Sequence, residues 1–524
     1  MLLPDLISQS AERFPEKTAL IFPDDSISFG ALHRQSSQVA ARLRKLGVGR
    51  GGRVAILHEN ALAGVVFFWG VLKSGAQVVD VPFLAGITTI ARILAECKPA
   101  ALVISEPQLQ RLLPVNSDLL PSVVLTEAEL AENRGRSYHS LADVKTTEPA
   151  DASLPRAHEC DVALVVYTSG TMGEPKGVML SHRNLLSNIS AANSLMGLRS
   201  NDSILVLVPL HFIHGRMQLL THALIGGTMA FSAGIHFPQQ VVDELVHYEV
   251  SGFSGVPYHF YTLLERTNLP VCALPHLRYV LITGGAIRCD ALRSLSEALP
   301  GVAIHLAYGQ TEASPRVAYL GPSEVISKPG SSGRALPGVR VDIVADDGSP
   351  LPPGTIGEVV VSGPNVMCGY VSGDEISSKK IDIFGRLHTG DTGRLDSDGY
   401  LYIVGRKSEL IKSAGERVFP REIEKVLDAH PAIRESAVLG IPDEILGERI
   451  VACVVLHPGA EVKTADLRTH CLKSLPLVRV PREVRFSDGL PKTGSGKTDR
   501  NSLATHFHEI GLAKNVRHLN QSSS

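Results

Sequence analysis

Residues 167–177 have the composition of a loop that could bind a polyphosphate. The segment follows an apolar run at residues 162–166 and contains three glycines, one lysine and three small hydroxyl side chains. Glycines let backbone N–H groups approach an anion, hydroxyls donate hydrogen bonds, and an ammonium group adds positive charge. The segment therefore predicts a nucleoside triphosphate substrate. The residues expected to contact its phosphates are Thr168, Ser169, Gly170, Thr171, Gly173 and Lys176.

Two alternatives exist for a glycine-rich segment of this kind. An ordinary turn after a strand has a similar composition. A mononucleotide P-loop is the second, but its lysine follows a glycine, whereas here Lys176 precedes Gly177. Residues 494–498 spell Gly-Ser-Gly-Lys-Thr, yet a P-loop would also need a glycine at 491, where the chain has Pro491. A P-loop kinase or ATPase, which would release ADP, is therefore disfavoured.

Two further polar segments could do chemistry. Residues 307–312 contain Tyr308, Thr311 and Glu312, which could stack on a base, bond a phosphate and ligate Mg²⁺. Asp391 lies on a glycine-flanked turn, where a carboxylate can accept hydrogen bonds from two ribose hydroxyls. Taken alone, each of these residues is also typical of an ordinary loop or turn cap.

Strand-like and helix-like segments alternate along much of the chain and must position these residues. Apolar residues at three- and four-residue spacing predict helices over 6–14 and 29–46, and residues 63–73 predict a buried helix. The fold class is therefore α/β, with a large N-terminal domain of stacked α/β layers and largely parallel sheets. Strands are predicted at residues 54–57, 101–104, 162–166, 204–208, 227–231, 279–282 and 303–307.

The sequence pattern changes toward the C-terminus. Short β-like segments that alternate with turns predict a β-rich subdomain over about residues 339–404, which completes an N-terminal domain of residues 1–404. The polar residues 405–409 are the expected hinge, and a new pattern over 410–508 predicts a small C-terminal α+β domain. Residues 509–524 are polar and are expected to form a disordered tail.

The overall composition disfavours several classes of protein. A net charge of -2 over 524 residues gives no indication of binding to nucleic acid or to an anionic membrane. The 20 histidines lack metal-ligand spacing, and the seven cysteines contain no Cys-x-x-Cys pair, which favours a reducing compartment. The longest apolar run, residues 62–72, is too short to span a bilayer, and the first residues do not resemble a signal peptide. We therefore expect a cytoplasmic protein.

Taken together, the polar segments resemble the adenylate-forming superfamily, which comprises acyl-CoA synthetases, adenylation domains and luciferases. The matches run in the family's order from about residue 8 to residue 504. The resemblance implies the family's fold and its reaction, in which ATP activates a carboxylate. Besides residues 167–177 and 307–312, the matching segments include Gly357-Glu358-Val359, Gly369-Tyr370, Pro420-Arg421-Glu422, Gly440-Ile441-Pro442-Asp443 and Gly496-Lys497.

The resemblance implies a role in nucleotide binding for each polar segment. Tyr308 would stack on adenine, Thr311 would contact the α-phosphate, and Glu312 would hold Mg²⁺. Asp391 would bind the ribose hydroxyls, and Arg406 would also reach the nucleotide. The other contacts implied are Gly284, Gly285 and Ala286 beside the adenine, Gly309, and Thr171 at the metal.

The same resemblance implies that Lys497 is the catalytic lysine, acting with Thr171 and Glu312. Lys497 would bond the substrate carboxylate and the α-phosphate as charge develops, and a preorganised donor of this kind contributes about 10²–10³ in rate. On spacing alone, a solvated surface lysine is the alternative.

A second step would use a different face of the C-terminal domain. By the resemblance, Lys412, Ser413 and Gly415 would line the tunnel of the attacking thiol. The family exposes the two faces in turn by rotating a mobile C-terminal domain about a hinge residue, which here aligns with Ser408.

The acid pocket departs most from the family pattern. Residues 209–215 read Pro-Leu-His-Phe-Ile-His-Gly, where the family has Pro-Leu-Phe-His-x-x-Gly. Phe212 thus takes the place of the family histidine, and the exchange with His211 alters the carboxylate gate. His214 is either a polar pocket group or a satisfied structural histidine. The other residues expected to line the pocket are Gly255, Val256 and Gly284.

The nature of the acid is predicted from what these segments lack. No counterpart of the amine-binding aspartate of amino-acid-activating relatives is evident, and residues 223–228 contain no arginine that could bind a second carboxylate. The sequence therefore favours a monocarboxylic fatty or aromatic acid.

The predicted function is ATP-dependent and Mg²⁺-dependent formation of an acyl-adenylate with release of pyrophosphate, followed by transfer of the acyl group to CoA. The phosphopantetheine thiol of a carrier protein is the alternative acceptor, although the chain has no carrier domain of its own. A nucleotide-binding scaffold without catalysis is a third possibility. It is disfavoured because the residues expected to bind and activate the nucleotide are all present: Thr171, Lys176, Glu312, Asp391, Arg406 and Lys497.

Overall fold

The structure is a computed structural model that describes residues 1–116, 120–126, 137–140, 157–169, 175–232, 234–493, 498–505 and 507. Its α-helices are Leu3–Arg13, Phe29–Lys45, Leu62–Ser74, Ile87–Cys97, Glu106–Asn116, His182–Met196, Ile213–Ile225, Pro238–His247, Pro257–Arg266, Cys289–Ala298, Pro322–Ser327, Asp374–Ser378, Pro420–Asp428 and Thr464–Leu472. Its strands are β1 Thr18–Phe22, β2 Asp25–Ser28, β3 Arg53–Leu57, β4 Gln77–Asp80, β5 Ala101–Ile104, β6 Val123–Thr126, β7 Ser137–Ser140, β8 Val162–Ser169, β9 Pro175–Ser181, β10 Ser203–Val206, β11 Thr228–Phe231, β12 Gly252–Gly255, β13 Tyr279–Thr283, β14 Ala303–Gly309, β15 Arg316–Leu320, β16 Arg334–Ala335, β17 Arg340–Val344, β18 Gly357–Ser362, β19 Gly369–Tyr370, β20 Leu387–Leu395, β21 Leu401–Arg406, β22 Ile411–Ser413, β23 Glu416–Val418, β24 Ile433–Asp443, β25 Gly447–Leu456 and β26 Glu483–Phe486.

The described residues divide into two compact units. The first comprises Met1–Asp342 and Val360–Thr389, and the second comprises Ile343–Val359 and the described residues from Gly390 onward. The predicted hinge residues 405–409 therefore lie inside the second unit, and the rotation of a C-terminal domain stays a prediction.

Two sheets form the layers of the first unit. One has the strand order β16-β15-β14-β13-β12-β10-β11-β1-β2, and the other has the order β19-β9-β8-β4-β3-β5-β6-β7. In the first sheet, the adjacent strands β11, β10, β12, β13 and β14 pair in parallel. In the second sheet, the adjacent strands β8, β4, β3, β5, β6 and β7 also pair in parallel. Such strands are buried on both faces and read as continuous apolar runs, as in Ala101–Ile104, where all four residues are buried. The predicted α/β class with largely parallel sheets is confirmed.

The helix Ile213–Ile225 is buried on nearly all sides because it lies between these two sheets. Arg216 contacts Asp80 at the end of β4, whereas Gln218 and Thr221 line a cavity beside Tyr279 of β13. An ordinary amphipathic helix has one polar face toward water. This helix instead has buried polar side chains on two sides, including Arg216, Gln218 and Thr221.

The predicted elements of the first unit agree with the observed ones to within a few residues. The helix Phe29–Lys45 begins where the side chain of Ser28 accepts a hydrogen bond from the Ala31 amide at 3.2 Å. Ser181 and Asn184 form a capping box at the start of His182–Met196. These caps satisfy amide groups that the first helical turn leaves without a partner.

The second unit contains a sheet of order β23-β22-β25-β24, in which β26 pairs with β25. The helices Pro420–Asp428 and Thr464–Leu472 pack on it around a core that includes Ile423, Val438 and Leu467. A further sheet, β17-β18-β20-β21, occupies the region predicted to be β-rich, and the division between the units falls within its strands.

Among the described residues, no helix combines the length and the apolar character needed to cross a membrane.

Candidate nucleotide and acid site

Strands β8 and β9 form an antiparallel hairpin that carries the predicted phosphate-binding residues. Thr168 lies opposite Lys176 in its register. Only glycine fits at Gly177, because a Cβ there would lie 2.9 Å from Cζ of Tyr167. Of the residues predicted to contact phosphates, Gly170, Thr171, Gly173 and the side chain of Ser169 lie outside the described residues.

The side chain of Tyr370 links a carboxylate and a cation of the predicted site. Its hydroxyl donates to Oε1 of Glu312 at 2.8 Å. The Nζ atom of Lys176 lies 5.7 Å from the centroid of the same ring, within the range of a cation–π interaction. Burial and the neighbouring Glu312 raise the pKa of Tyr370, so its hydroxyl stays protonated and Glu312 acts as the acceptor. One aromatic ring thereby fixes Lys176 relative to Glu312.

The loop that carries Glu312 is held by hydrogen bonds to residues 365–367. The amide of Met367 donates to the carbonyl of Glu312 at 2.9 Å. The buried amide side chain of Asn365 donates to the carbonyl of Ala313 at 3.0 Å, and the hydroxyl of Ser314 donates to the carbonyl of Asn365 at 2.7 Å. Because these bonds are buried and reciprocal, they fix the position of the carboxylate.

The glycine-rich segments predicted to line the base lie side by side at the carboxyl edge of the larger sheet. Gly255 of β12 is the register partner of Ile282 in β13, and Thr283 is the partner of Ala307 in β14. Ligands of open α/β sheets bind outside the carboxyl ends of the strands. The structure therefore brings together Gly255, Val256, Gly284, Gly285, Ala286, Tyr308, Gly309 and Thr311.

At two of these positions, Gly284 and Gly309, the backbone geometry leaves no room for a larger residue. Gly284 has a φ of 83°, a conformation that other residues seldom adopt, and a Cβ there would lie 3.1 Å from Val256. A Cβ on Gly309 would lie only 1.7 Å from the carbonyl oxygen of Pro315. The close approach fixes where the chain turns back from β14 into β15.

The exchanged residues His211 and Phe212 form an aromatic cluster with Phe83. The His211 ring lies edge-on to Phe83, with centroids 5.1 Å apart, and is tilted against Phe212 at 4.2 Å. Burial, with a smaller contribution from nearby Arg216, lowers the pKa of His211 to about 4. His211 is therefore a neutral, buried member of this cluster at physiological pH.

His214 makes a hydrogen bond within the protein. Its Nε2 lies 2.7 Å from Oγ of Ser254, and the Ser254 hydroxyl donates to the carbonyl of Leu281 at 3.0 Å. Since the only hydroxyl proton of Ser254 is used in that bond, Nε2 of His214 must be the donor. Burial, followed by the positive charge of Arg316, lowers the pKa of His214 to about 3. His214 is thus neutral and leaves Nδ1 as its acceptor atom.

Asp391 and Arg406, both predicted to bind the nucleotide, pair with each other in the second unit. They are register partners in the hairpin of β20 and β21. Nε of Arg406 lies 3.0 Å from Oδ1 of Asp391, whose side chain is buried whereas that of Arg406 is 42% exposed. A carboxylate has acceptor capacity beyond one such contact. The contact with Arg406 therefore orients the carboxylate of Asp391.

The predicted hinge and thiol residues also lie in the second unit. Ser408 is in the short 3₁₀ helix Lys407–Glu409. Lys412 is exposed on β22 and Ser413 is buried, and Gly415 follows in the turn before β23. The backbone amide of Lys412 donates to Oε2 of Glu448 at 2.6 Å.

Lys497 lies outside the described residues, which resume at Thr498. The residues on either side of it are held together, because Lys492 and Thr498 form an antiparallel bridge. The ammonium group of Lys492 contacts Oε1 of Glu435 and lies 3.1 Å from the hydroxyl of Thr498.

Sequence reasoning missed several residues of this region. The sequence indicates Tyr370 only as part of a family block and does not predict the contacts of its side chain with Lys176 and Glu312. Gln218 and Arg316 are not among the predicted site residues, although Arg316 follows the segment 307–312 by four residues. A charged residue so close to a predicted ligand-binding segment is the signal that could have revealed it.

Comparison with known proteins identifies the family. Residues 7–371 match the family described as AMP-binding enzyme, and residues 422–497 match the AMP-binding enzyme C-terminal domain.

The chain belongs to the AMP-binding enzyme family.

Its relatives in this family include acid–CoA ligases of similar length. One is the 3-[(3aS,4S,7aS)-7a-methyl-1,5-dioxo-octahydro-1H-inden-4-yl]propanoyl:CoA ligase of Rhodococcus jostii strain RHA1, which is 32% identical over 95% of this chain and 98% of the relative. Another is the oxalate–CoA ligase of Arabidopsis thaliana, which is 31% identical over 97% of this chain and 99% of the relative. The crystal structure of ATP-bound MatB from Rhodopseudomonas palustris superimposes with a TM-score of 0.88, at 28% identity, over 97% of this chain and 100% of that one.

These comparisons confirm the predicted superfamily, fold class and class of enzyme. The chain is an acid–thiol ligase of the AMP-forming type, with ATP and CoA as substrates. The acids in the names of the two relatives differ widely in size, so the family alone does not identify the acid.

Proposed function

We propose that this AMP-binding enzyme converts a carboxylic acid, ATP and CoA into an acyl-CoA, AMP and pyrophosphate through an acyl-adenylate. The observation that carries the proposal is the contact of one ring, Tyr370, with both Lys176 and Glu312. An ammonium group and a carboxylate held at a fixed separation suit a triphosphate that carries a divalent cation, since one attracts phosphate oxygens and the other attracts the cation.

In the first step, a carboxylate oxygen of the acid attacks the α-phosphorus of Mg·ATP, and the bond from that phosphorus to the pyrophosphate oxygen breaks. Lys176 is proposed to stabilise negative charge on the phosphates. Glu312 and Thr171 would hold the Mg²⁺ of the substrate, for which carboxylate and hydroxyl oxygens are suitable ligands. The described residues contain no group of three or more His, Cys, Asp or Glu side chains placed to bind a metal ion.

The nucleoside is assigned to residues at the carboxyl edge of the sheet and to Asp391. Tyr308 is proposed to stack on adenine beside Gly284, Gly285 and Ala286, and Thr311 to contact the α-phosphate. Asp391 is proposed to accept the ribose hydroxyls, with Arg406 holding its carboxylate and reaching the nucleotide. The buried position of Asp391 supports this assignment, because a desolvated carboxylate makes stronger hydrogen bonds.

In the second step, the thiolate of CoA attacks the acyl carbonyl and AMP leaves with the bonding electrons. Lys412, Ser413 and Gly415 are proposed to line the path of this thiol, after a rotation about Ser408. A phosphopantetheinyl carrier protein is the alternative acceptor, and substituting it for CoA in the transfer assay tests that alternative.

The decisive experiment is ATP–pyrophosphate exchange, measured without a thiol, across fatty, aromatic and amino acids. Exchange with one class of acid supports adenylation and identifies the substrate, which also tests the sequence prediction of a monocarboxylic acid. Formation of ADP in place of AMP, or the absence of exchange with every acid, would contradict the proposal.

Lys497→Ala tests the proposed catalytic lysine. Adenylation is expected to fall about 10²–10³-fold while ATP binding, measured by calorimetry, stays nearly unchanged, because the amine stabilises charge that develops during reaction. Lys473→Ala is the matched control, since Lys473 is an exposed lysine of the same unit. Equal adenylation by the Lys497→Ala and Lys473→Ala variants would remove Lys497 from the mechanism.

A further inference from the structure

Tyr370 reaches the candidate site through the pairing of β19 with β9. It is the register partner of Val178, and the amide of Val371 donates to the carbonyl of Gly177 at 2.8 Å. Register partners lie on the same face of a sheet, and so do residues two positions apart in one strand. Because Lys176 precedes Val178 by two residues, the ring of Tyr370 lies on the face that carries Lys176.

The backbone of Tyr370 is also held by the helix Asp374–Ser378. The hydroxyl oxygen of Ser377 accepts a hydrogen bond from the amide of Tyr370 at 2.9 Å and donates to the carbonyl of Gly373 at 2.9 Å. A Cβ on Gly369 would lie only 3.0 Å from the same oxygen, so this helix packs closely against the strand. Tyr370 itself is 2% exposed. The fold therefore defines the position of its hydroxyl before any ligand binds.

One short segment holds both the backbone and the side chain of Glu312. The amide of Met367 donates to the carbonyl of Glu312, and the hydroxyl of Tyr370 donates to its Oε1 at 2.8 Å. No other hydrogen bond to this carboxylate is found within the described part of the chain. Turning the carboxylate would break a hydrogen bond to a charged group, which is among the stronger ones in proteins. Oε1 is therefore occupied, and Oε2 is the oxygen available to a cation.

Divalent cations differ in what they require from a carboxylate. Ca²⁺ takes about six to eight oxygen ligands in a flexible arrangement and can use both oxygens of one carboxylate. Mg²⁺ is smaller, requires a nearly ideal octahedron, and is usually bound by one or two carboxylates together with substrate phosphates and water. A carboxylate that offers one oxygen in a fixed orientation therefore suits Mg²⁺ and withholds a ligand from Ca²⁺.

We propose that Tyr370 determines which divalent cation accompanies the nucleotide: by holding Oε1 of Glu312, its hydroxyl leaves one oxygen for the cation and favours Mg²⁺ over Ca²⁺. The inference rests on the proposed function, in which Glu312 binds the cation of ATP, and it specifies how the same site selects that cation. The hydroxyl and the ring of Tyr370 have separate roles, because only the hydroxyl contacts Glu312 whereas the ring contacts Lys176.

The test is calorimetric binding of ATP in excess Mg²⁺ or in excess Ca²⁺, without any acid, so that binding is measured apart from catalysis. The wild-type enzyme should bind Mg·ATP at least about 10-fold more tightly than Ca·ATP, because Ca²⁺ could use both oxygens only by giving up a hydrogen bond to a charged group. Tyr370→Phe should lower this ratio of dissociation constants about 10-fold. Tyr248→Phe, which removes the hydroxyl of a tyrosine that follows the helix Pro238–His247, is the control and should keep the wild-type ratio.

A second substitution separates the hydroxyl of Tyr370 from its ring. Tyr370→Phe keeps the aromatic face beside Lys176, whereas Tyr370→Leu removes that face as well. The affinities of Tyr370→Leu for Mg·ATP and for Ca·ATP should therefore both fall by a further factor of about 2–30, which corresponds to the loss of one cation–π interaction. The ratio of the two affinities should stay as it is in Tyr370→Phe, because the ring does not contact Glu312.

The outcomes separate this inference from the proposed function. A ratio that Tyr370→Phe leaves unchanged, or equal binding of Mg·ATP and Ca·ATP by the wild-type enzyme, overturns the selection of the cation and leaves adenylation standing. Absence of ATP–pyrophosphate exchange with every acid, while Tyr370→Phe still lowers the ratio, overturns adenylation alone. Failure of the wild-type enzyme to bind either complex overturns both. If Tyr370→Phe does not fold, Glu312→Gln must abolish the difference between Mg·ATP and Ca·ATP for the inference to hold.

Discussion

Two buried arginines, 100 residues apart in the sequence, have opposite surroundings in the same unit. Arg216 is 3% exposed and binds Asp80 through two hydrogen bonds, of 2.5 and 3.0 Å, while its guanidinium stacks 3.9 Å from the ring centroid of Phe68. Arg316 is 6% exposed and has no acidic partner in the described part of the chain. Asp80 neutralises the charge of Arg216, whereas no acidic side chain among the described residues neutralises the charge of Arg316.

The difference follows from the position of the helix Ile213–Ile225 between two sheets. On one side, Arg216 meets the carboxylate at the end of β4, which is 1% exposed. On the other side, Gln218 and Thr221 offer neutral polar groups toward Arg316. A buried ion pair that is complete has a structural role. A buried cation whose nearby groups are only neutral keeps the desolvation penalty of its charge without the compensating attraction of a counter-charge.

The largest loss of stability is expected when the buried ion pair of Asp80 and Arg216 is broken. Asp80→Asn keeps the shape of the side chain but leaves Arg216 buried without a counter-charge, and this should lower the free energy of unfolding by about 3–5 kcal/mol. Denaturant titration followed by near-UV circular dichroism measures the loss. A change below about 1 kcal/mol would mean that water reaches Arg216, and the contrast with Arg316 would then disappear.

The opposite change in the free energy of unfolding is expected at Arg316, which has no acidic neighbour among the described residues. Arg316→Leu removes a lone buried charge, so the free energy of unfolding without ligand should be unchanged or higher by about 1–4 kcal/mol, as is often found when buried ionic groups are replaced by apolar ones. Arg216→Leu, the same substitution at the paired site, should be strongly destabilising because Asp80 is left alone. Equal destabilisation by the two variants would show that Arg316 has a partner within the fold.

Part of this architecture could be predicted from the sequence. Apolar runs and helical spacing gave the strands Ala101–Ile104 and Tyr279–Thr283 and the helix Phe29–Lys45 almost to the residue, because periodicity and capping are local properties. Glycine-rich segments at strand ends likewise indicated the edge at which Gly255 and Gly284 meet.

The remaining features depend on contacts between distant segments. Tyr370 reaches Lys176 because β19 pairs with β9, a pairing across nearly 200 residues that local spacing does not encode. Arg406 pairs with Asp391 because of the hairpin register. Whether Arg316 is paired depends on three separate elements, and its own neighbours in the sequence, Pro315 and Val317, give no indication.

The smallest effect is expected at an exposed ion pair, which completes the series. Nε of Arg50 and Oδ2 of Asp161 are 2.8 Å apart, but their side chains are 38% and 31% exposed, so water and salt screen the attraction. Asp161→Asn should therefore lower the melting temperature much less than Asp80→Asn, and 1 M NaCl should abolish the difference from wild type.

The same pair provides a dependence on pH. The hydrogen bond from Arg50 lowers the pKa of Asp161 in the folded state. The unfolded chain then binds the proton more readily, so this contribution to stability is present above the ordinary aspartate pKa of about 3.9 and is lost as the pH falls through the lowered value. The melting-temperature difference between wild type and Asp161→Asn should accordingly be constant from pH 7 to pH 5 and shrink below pH 4. A melting-temperature difference that grew on acidification would contradict the lowered pKa of Asp161 in the folded state.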